Sequence, residues 1–146
     1  MARRVFFSFE YSDVTRAMVV RNSWVAQGRE SAGFIDSADF EKLKKKGDHA
    51  VKMWIDNQLV NTSVTAVLVG ANTCNSKWVQ YEIQQSKLRG NGLLGIDVSQ
   101  IKNFVGWTSY CCGRIPSGYP FYSWYSDDGY HNVGSWIENA AKAAGR

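Results

Sequence analysis

The spacing of apolar residues along this chain alternates between the period of a strand and that of a helix. Val5-Phe6-Phe7-Ser8-Phe9 is a short aromatic and β-branched run and reads as a first buried strand. Val14, Ala17, Met18, Arg21 and Val25 then fall on one mostly apolar helical face, with Asp13 placed to cap it. Gly33-Phe34-Ile35-Asp36 reads as a short second strand ending in a carboxylate, followed by a polar loop from Ser37 to Gly47. Asp48 is placed to cap a helix whose face is Val51, Trp54, Ile55, Gln58 and Leu59. Val64 to Gly70 is apolar on both faces apart from Thr65, as in a central strand of a parallel sheet covered on both sides. Asn75 or Ser76 caps the next helix, Val79 and Ile83 turn it toward the sheet, and Gly90 ends it. Leu93 to Val98 is a fourth strand, and a final helix is expected over Ser135 to Ala144. Between Ser99 and Tyr122 the chain is irregular and rich in Gly, Trp, Tyr and Cys, and no element is assigned there. Strands alternating with helices predict an α/β fold, a doubly wound parallel sheet flanked by helices on both faces. The whole of 1–146 reads as one domain, without repeats or a linker.

Composition narrows the function. The chain is 45% hydrophobic and 21% charged, as in a soluble globular protein. A net charge of +4 would help attract a phosphate-bearing ligand but is too small to argue for nucleic-acid binding. The run Lys42-Leu43-Lys44-Lys45-Lys46 is expected in a solvated loop. Cys74 and the adjacent Cys111-Cys112 do not form a disulfide framework by count, and no His/Cys cluster has zinc spacing. They are expected as reduced thiols, which places the protein in the cytoplasm. The apolar run after Arg3-Arg4 is too short for a signal peptide, and no segment approaches a membrane span.

Several motifs fail on context. Gly90-Asn91-Gly92-Leu93-Leu94-Gly95 matches the dinucleotide fingerprint literally, but it ends a helix and opens a strand, the reverse of the required order. His49 and His131 have no evident triad partners, and Asp127-Asp128-Gly129 is a turn or cap rather than a calcium loop. Trp78 and Glu82 are different. They stand four residues apart on one helical face, directly after the Val64–Gly70 strand. In open α/β sheets, ligands bind outside the carboxyl ends of the strands. Ser8, Phe9, Asp36 and the segment Asn72 to Glu82 all lie at or beyond such ends and are candidates for one cleft.

The opening Val5-Phe6-Phe7-Ser8-Phe9-Glu10-Tyr11-Ser12-Asp13 and the segment Ser76-Lys77-Trp78-Val79-Gln80-Tyr81-Glu82 resemble the TIR-domain family, whose first strand and W-x-x-x-E element they match. The likeness is greatest to the TIR-like proteins of the bacterial Thoeris anti-phage system. It extends through Val19 to Val25, Asn61 to Thr65, Asp127 to Tyr130 and Ser135-Trp136. It departs between Ile101 and Phe121, where relatives carry a longer insert.

The resemblance implies a flavodoxin-like TIR fold and an enzyme of the NAD glycohydrolase or ADP-ribosyl cyclase type, switched on by infection. NAD is then a substrate, and no cofactor or metal is implied. Glu82 becomes the catalytic residue, holding the ribose hydroxyls, offsetting developing positive charge or forming a transient covalent link. Trp78, Phe9, Asp36 and Ser8 become substrate-binding residues. The implied partner is a separate effector reached through a diffusible cyclic ADP-ribose-type signal. A phage-derived trigger and a homo-oligomer also belong to this picture, whereas a membrane or a nucleic acid does not. Two other readings stand beside it. One is a non-catalytic TIR-type assembly module that uses the Lys42–Lys46 segment as a surface. The other is a flavodoxin-like nucleotide-binding domain, which rests on fold class alone.

Overall fold

A computed structural model of the chain describes residues 3–26, 29–34 and 37–146. Among the described residues, five parallel strands form one sheet in the order β2-β1-β3-β4-β5. The strands are β1 (Arg4–Ser8), β2 (Glu30–Ala32), β3 (Val64–Val69), β4 (Gly92–Asp97) and β5 (Phe121–Ser123). The helices are α1 (Val14–Val25), α2 (Ser37–Lys45), α3 (Asp48–Leu59), α4 (Lys77–Leu88) and α5 (Gly129–Ala143). This is the flavodoxin-like strand order, with its topological switch between β1 and β3.

Side chains alternate across each strand and so build two cores. Val5 and Phe7 of β1, with Val64, Ala66 and Leu68 of β3, pack against Ala17, Val20 and Trp24 of α1 and Val133, Ile137 and Ala141 of α5. Phe6 faces the other way, with Phe40 of α2 and Val51, Ile55 and Leu59 of α3. On that same side Val67, Val69 and Leu93 meet Val79 and Ile83 of α4. The sheet is therefore covered on both faces. Residues 64–70 are all buried, Thr65 included, as a run apolar on both faces predicts.

Several expectations need correction. The second strand is Glu30–Ala32, ahead of the expected Gly33–Asp36, and of that expected stretch Ile35 and Asp36 lie outside the described residues. Gly33 explains the stop. Its φ is +89°, and a Cβ there would sit 2.5 Å from the Phe7 carbonyl oxygen. The segment after Ser37 is a helix, not a polar loop. Phe40 and Leu43, three residues apart, turn inward, while Asp39 stands in the first turn and Lys42, Lys44 and Lys45 in the last, as the helix dipole favours. Asp13 stands at the N-cap of α1, but its side chain makes no capping hydrogen bond. Its carboxylate is buried in an ion pair with Arg16, 2.9 Å away. The buried face of α1 accordingly includes Arg16, Val20 and Trp24. Gly47, not Asp48, stands at the N-cap of α3. A fifth strand, Phe121–Ser123, is added, its three residues being too few to show a period, and α5 starts at Gly129, earlier than the expected Ser135.

The thiols are also corrected. Cys74 and Cys112 form a disulfide with their Cα atoms 6.0 Å apart, and Cys111 alone is free. The long loop after β4 folds back over the end of β3, where the Cys112 N–H bonds to the Gly70 carbonyl. That return, invisible in the spacing of 38 residues, brings the two sulfurs together. The compartment argument from reduced thiols falls with it. Among the described residues, no helix is long and apolar enough to cross a membrane.

Candidate active site

The site is built by α4 against β1. The Ser76 hydroxyl accepts a bond from the Val79 N–H and caps α4. Val79 and Ile83 anchor the helix on the sheet, and Glu82, one turn beyond Val79, follows them inward. It is 7% exposed. Ser8 is the last residue of β1 and alternates to the α4 side of the sheet, where it is fully buried. Its hydroxyl donates to Glu82 Oε1 at 2.6 Å. One turn further along α4, the Ser86 hydroxyl donates to the Glu82 carbonyl and lies 2.6 Å from Thr65 Oγ1 of β3. This polar seam between helix and sheet holds the backbone that carries Glu82.

Above the carboxyl lies a cavity of about 40 Å3 lined by Phe7, Phe9, Glu10, Tyr11, Gly33, Phe40, Trp54, Ser76, Trp78 and Glu82. Its walls are mostly aromatic. Tyr11 stacks on Phe40 with centroids 4.6 Å apart, Phe9 lies 5.5 Å from Tyr11, and Phe40 meets Trp54 edge-on. A roomier cavity of about 240 Å3 lies on the other flank of α4, among Val67, Val69, Val79, Ile83 and Ile115. Among the described residues it is lined by no carboxylate.

The structure thus brings together Ser8, Phe9, Trp78 and Glu82 from the expected set. Asp36 lies outside the described residues. Tyr11, Phe40 and Trp54 join the lining without having been singled out. For Phe40 the signal was present: Phe40 and Leu43 carry helical spacing inside what reads as a polar loop.

Burial pushes the Glu82 carboxyl up to about 8, against the opposing effect of the Ser8 hydroxyl, which favours the ionised form. Among the described residues no Lys or Arg lines the cavity to bring it down. Glu82 is therefore mostly protonated at neutral pH in the free protein. Stability follows from the sign of this shift. The unfolded chain ionises Glu82 near 4.5 and the folded one near 8, so the protonated form's contribution is full below 4.5 and is lost as pH rises toward 8. Glu82→Gln removes that loss. Thermal melts are expected to show the variant several degrees more stable than the parent at pH 8.5, with the difference shrinking toward pH 4.5. An equal difference at both pH values would refute the buried neutral carboxyl.

Comparison with known proteins shows the family. The family described as "Thoeris protein ThsB, TIR-like domain" matches residues 6–103, a span that contains Ser8 at the end of β1, the Trp78–Glu82 element and β4. The chain is 42% identical over 139 residues to a protein of Bacillus cereus (strain MSX-D12) named "Putative cyclic ADP-D-ribose synthase ThsB1". That alignment covers 93% of this chain and 72% of the relative. The chain with Glu82 buried beneath an aromatic cavity at the end of its first strand belongs to the Thoeris ThsB family of TIR-like proteins.

Proposed function

We propose that this protein cleaves the nicotinamide–ribose bond of NAD and converts the ADP-ribose part into a cyclic ADP-ribose-type signal in anti-phage defence. The observation that carries the reading is the Glu82 carboxyl, held by Ser8 and α4 beneath an aromatic cavity at the carboxyl end of β1. Its relative's name, a cyclic ADP-D-ribose synthase, points to the same chemistry.

The chemistry suits the site. Nicotinamide is bound to ribose as a pyridinium cation. When the bond breaks, the electron pair goes to the ring nitrogen and the base leaves neutral, so no general acid is needed. Positive charge passes to the ribose, as in the oxocarbenium-like transition states that glycosidases stabilise with carboxylates. A substrate cation beside Glu82 favours its ionised form, opposing the burial that keeps it neutral in the empty site. Ser8 holds Oε1 in place while the charge develops. The aromatic walls exclude water and offer ring faces to the pyridinium. Closure onto another atom of the same nucleotide then gives a ring, whereas water gives linear ADP-ribose. The product reaches a separate effector by diffusion, and the NAD pool that feeds it is cytoplasmic.

The test is mass spectrometry of small molecules from phage-infected cells that carry the protein. Free nicotinamide and an ADP-ribose-derived nucleotide are expected after infection. If neither accumulates although the folded protein is present and the cells are protected, the reading is wrong.

A further inference from the structure

The cavity above Glu82 is lined by a second acidic residue. Glu10, two residues beyond the end of β1, shares it with Glu82 and the aromatic walls. Glu82 is 7% exposed and Glu10 half-buried, so one carboxyl is mostly closed off from water and the other stands nearer to it. Among the described residues no Lys or Arg lines the cavity, and Glu10 takes part in no ion pair. Two ammonium groups lie near its rings, Lys44 5.1 Å from the centre of Phe40 and Lys77 4.8 Å from that of Trp78. Each is already paired, Lys44 with Glu41 and Lys77 with Asp48. The lining thus combines two acidic residues with several ring faces and no positive charge, and a cation is the ligand that such a lining attracts. We propose that Glu10 recognises the positive charge of an oxidised nicotinamide ring and makes the site selective for this cation over the neutral ring. The inference deepens the function proposed above and rests on it for the identity of the ring.

Local structure holds Glu10 ready for this role. It is the N-cap of the 3-10 turn Tyr11–Asp13, and its Oε2 accepts the Ser12 N–H at 2.7 Å. That bond fixes the carboxylate on the turn, while Oε1 has no hydrogen-bond partner among the described residues. Burial, and to a lesser degree the charge of Glu10, push the neighbouring Asp13 carboxyl up. The two glutamates then act at different moments. Glu10 meets the charge that the substrate brings on its pyridinium ring. Glu82 meets the charge that develops on the ribose as the bond breaks. The ring loses its charge when it leaves, so Glu10 favours the bound substrate over the departing neutral nicotinamide. Its contribution therefore falls on KM, whereas that of Glu82 falls on kcat.

Two measurements test this, and the first involves no reaction. Nuclear magnetic resonance titrations compare ring-N-methylated nicotinamide, a pyridinium cation, with neutral nicotinamide on the parent, Glu10→Gln and Glu10→Asp proteins. Gln keeps an acceptor for the Ser12 N–H, so the turn is preserved while the charge is removed. The parent is expected to bind the cation roughly tenfold more tightly than nicotinamide, a preference that weakens as salt is added. Glu10→Gln is expected to lose the preference and its salt dependence, and Glu10→Asp to keep part of both. The second measurement is the rate of NAD cleavage by the same proteins purified from phage-infected cells. There KM is expected to rise roughly tenfold in Glu10→Gln, with kcat no lower than the parent's. A parent without preference for the cation, or a folded Glu10→Gln protein that keeps it, overturns the inference. NAD cleavage with an unchanged KM in Glu10→Gln also overturns it and leaves the proposed reaction standing. A cation preference that depends on Glu10, in a protein that cleaves no NAD, upholds the recognition and counts against NAD as the substrate.

Discussion

Glu82→Gln is expected to lower formation of the ADP-ribose-derived product about 10²–10³-fold, the usual loss when one group aimed at developing charge is removed. Gln keeps the shape of the side chain and can still accept the Ser8 hydroxyl bond, so packing between α4 and β1 is preserved. What disappears is the negative charge that the ribose cation needs. The loss should therefore fall on kcat with little change in KM, since only the transition state carries the full cation. The parent's kcat/KM should rise with pH to a plateau above about 8, where the free protein's Glu82 is ionised. The residual rate of the Gln variant should lack that rise. Product formation at the parent level by a folded Glu82→Gln protein would remove this residue from the chemistry. It would favour the non-catalytic assembly module instead.

Arg16→Ala is expected to produce the largest loss of stability among single changes near the site. Arg16 is buried on α1 and bonds in three directions: to Asp13 Oδ1 at 2.9 Å, to the Ile101 carbonyl at 2.7 Å and to the Trp107 carbonyl at 2.9 Å. It therefore fastens the loop after β4 onto the start of α1. Asp13 is 2% exposed, and among the described residues its Oδ2 has no hydrogen-bond partner. Burial pushes the Asp13 carboxyl up, and Arg16 is what opposes that shift. Gly70 is packed so closely on this carboxylate that a Cβ there would lie 2.1 Å from Oδ2. Removing the guanidinium leaves a buried charge unpaired, which costs about 3–5 kcal/mol. For a chain of this length that lowers Tm by on the order of 10 °C. Hydrogen exchange should quicken from Ile101 to Trp107, where the bonds are lost. The double change Asp13→Asn with Arg16→Met removes both charges and should recover much of the loss. A single Arg16→Ala change within ~1 kcal/mol of the parent would show that the pair contributes little.

Where the sequence was legible, the physical signal was local. The Val64–Val69 run, apolar apart from Thr65, marked the central strand because a strand buried on both faces does not alternate apolar with polar positions. The Ser76 cap, the Val79–Ile83 face and the left-handed Gly90 marked the bounds of α4, since each depends on residues within two turns. Trp78 and Glu82 followed from helical spacing. The missed elements lacked such signals or carried competing ones. The Lys42–Lys46 run disguised α2, although Phe40 and Leu43 had the right spacing. The strand Phe121–Ser123 is defined by its partner Gly95–Asp97, not by its own pattern.

By itself the sequence determined that β1 places Ser8 on the face opposite Val5 and Phe7, and that α4 aligns Trp78 with Glu82. Both are consequences of fixed side-chain periods, two in a strand and 3.6 in a helix. Only the tertiary structure decided that α4 covers the Ser8 face, so that hydroxyl and carboxyl meet at 2.6 Å. It alone decided that Tyr11 and Phe40, 29 positions apart, stack on each other in the lining of the Glu82 cavity, and that Cys74 and Cys112 are joined. The charge state of Glu82 belongs with these. A carboxyl's affinity for its proton depends on the solvent it loses and the charges it meets, and both are set by residues distant in sequence.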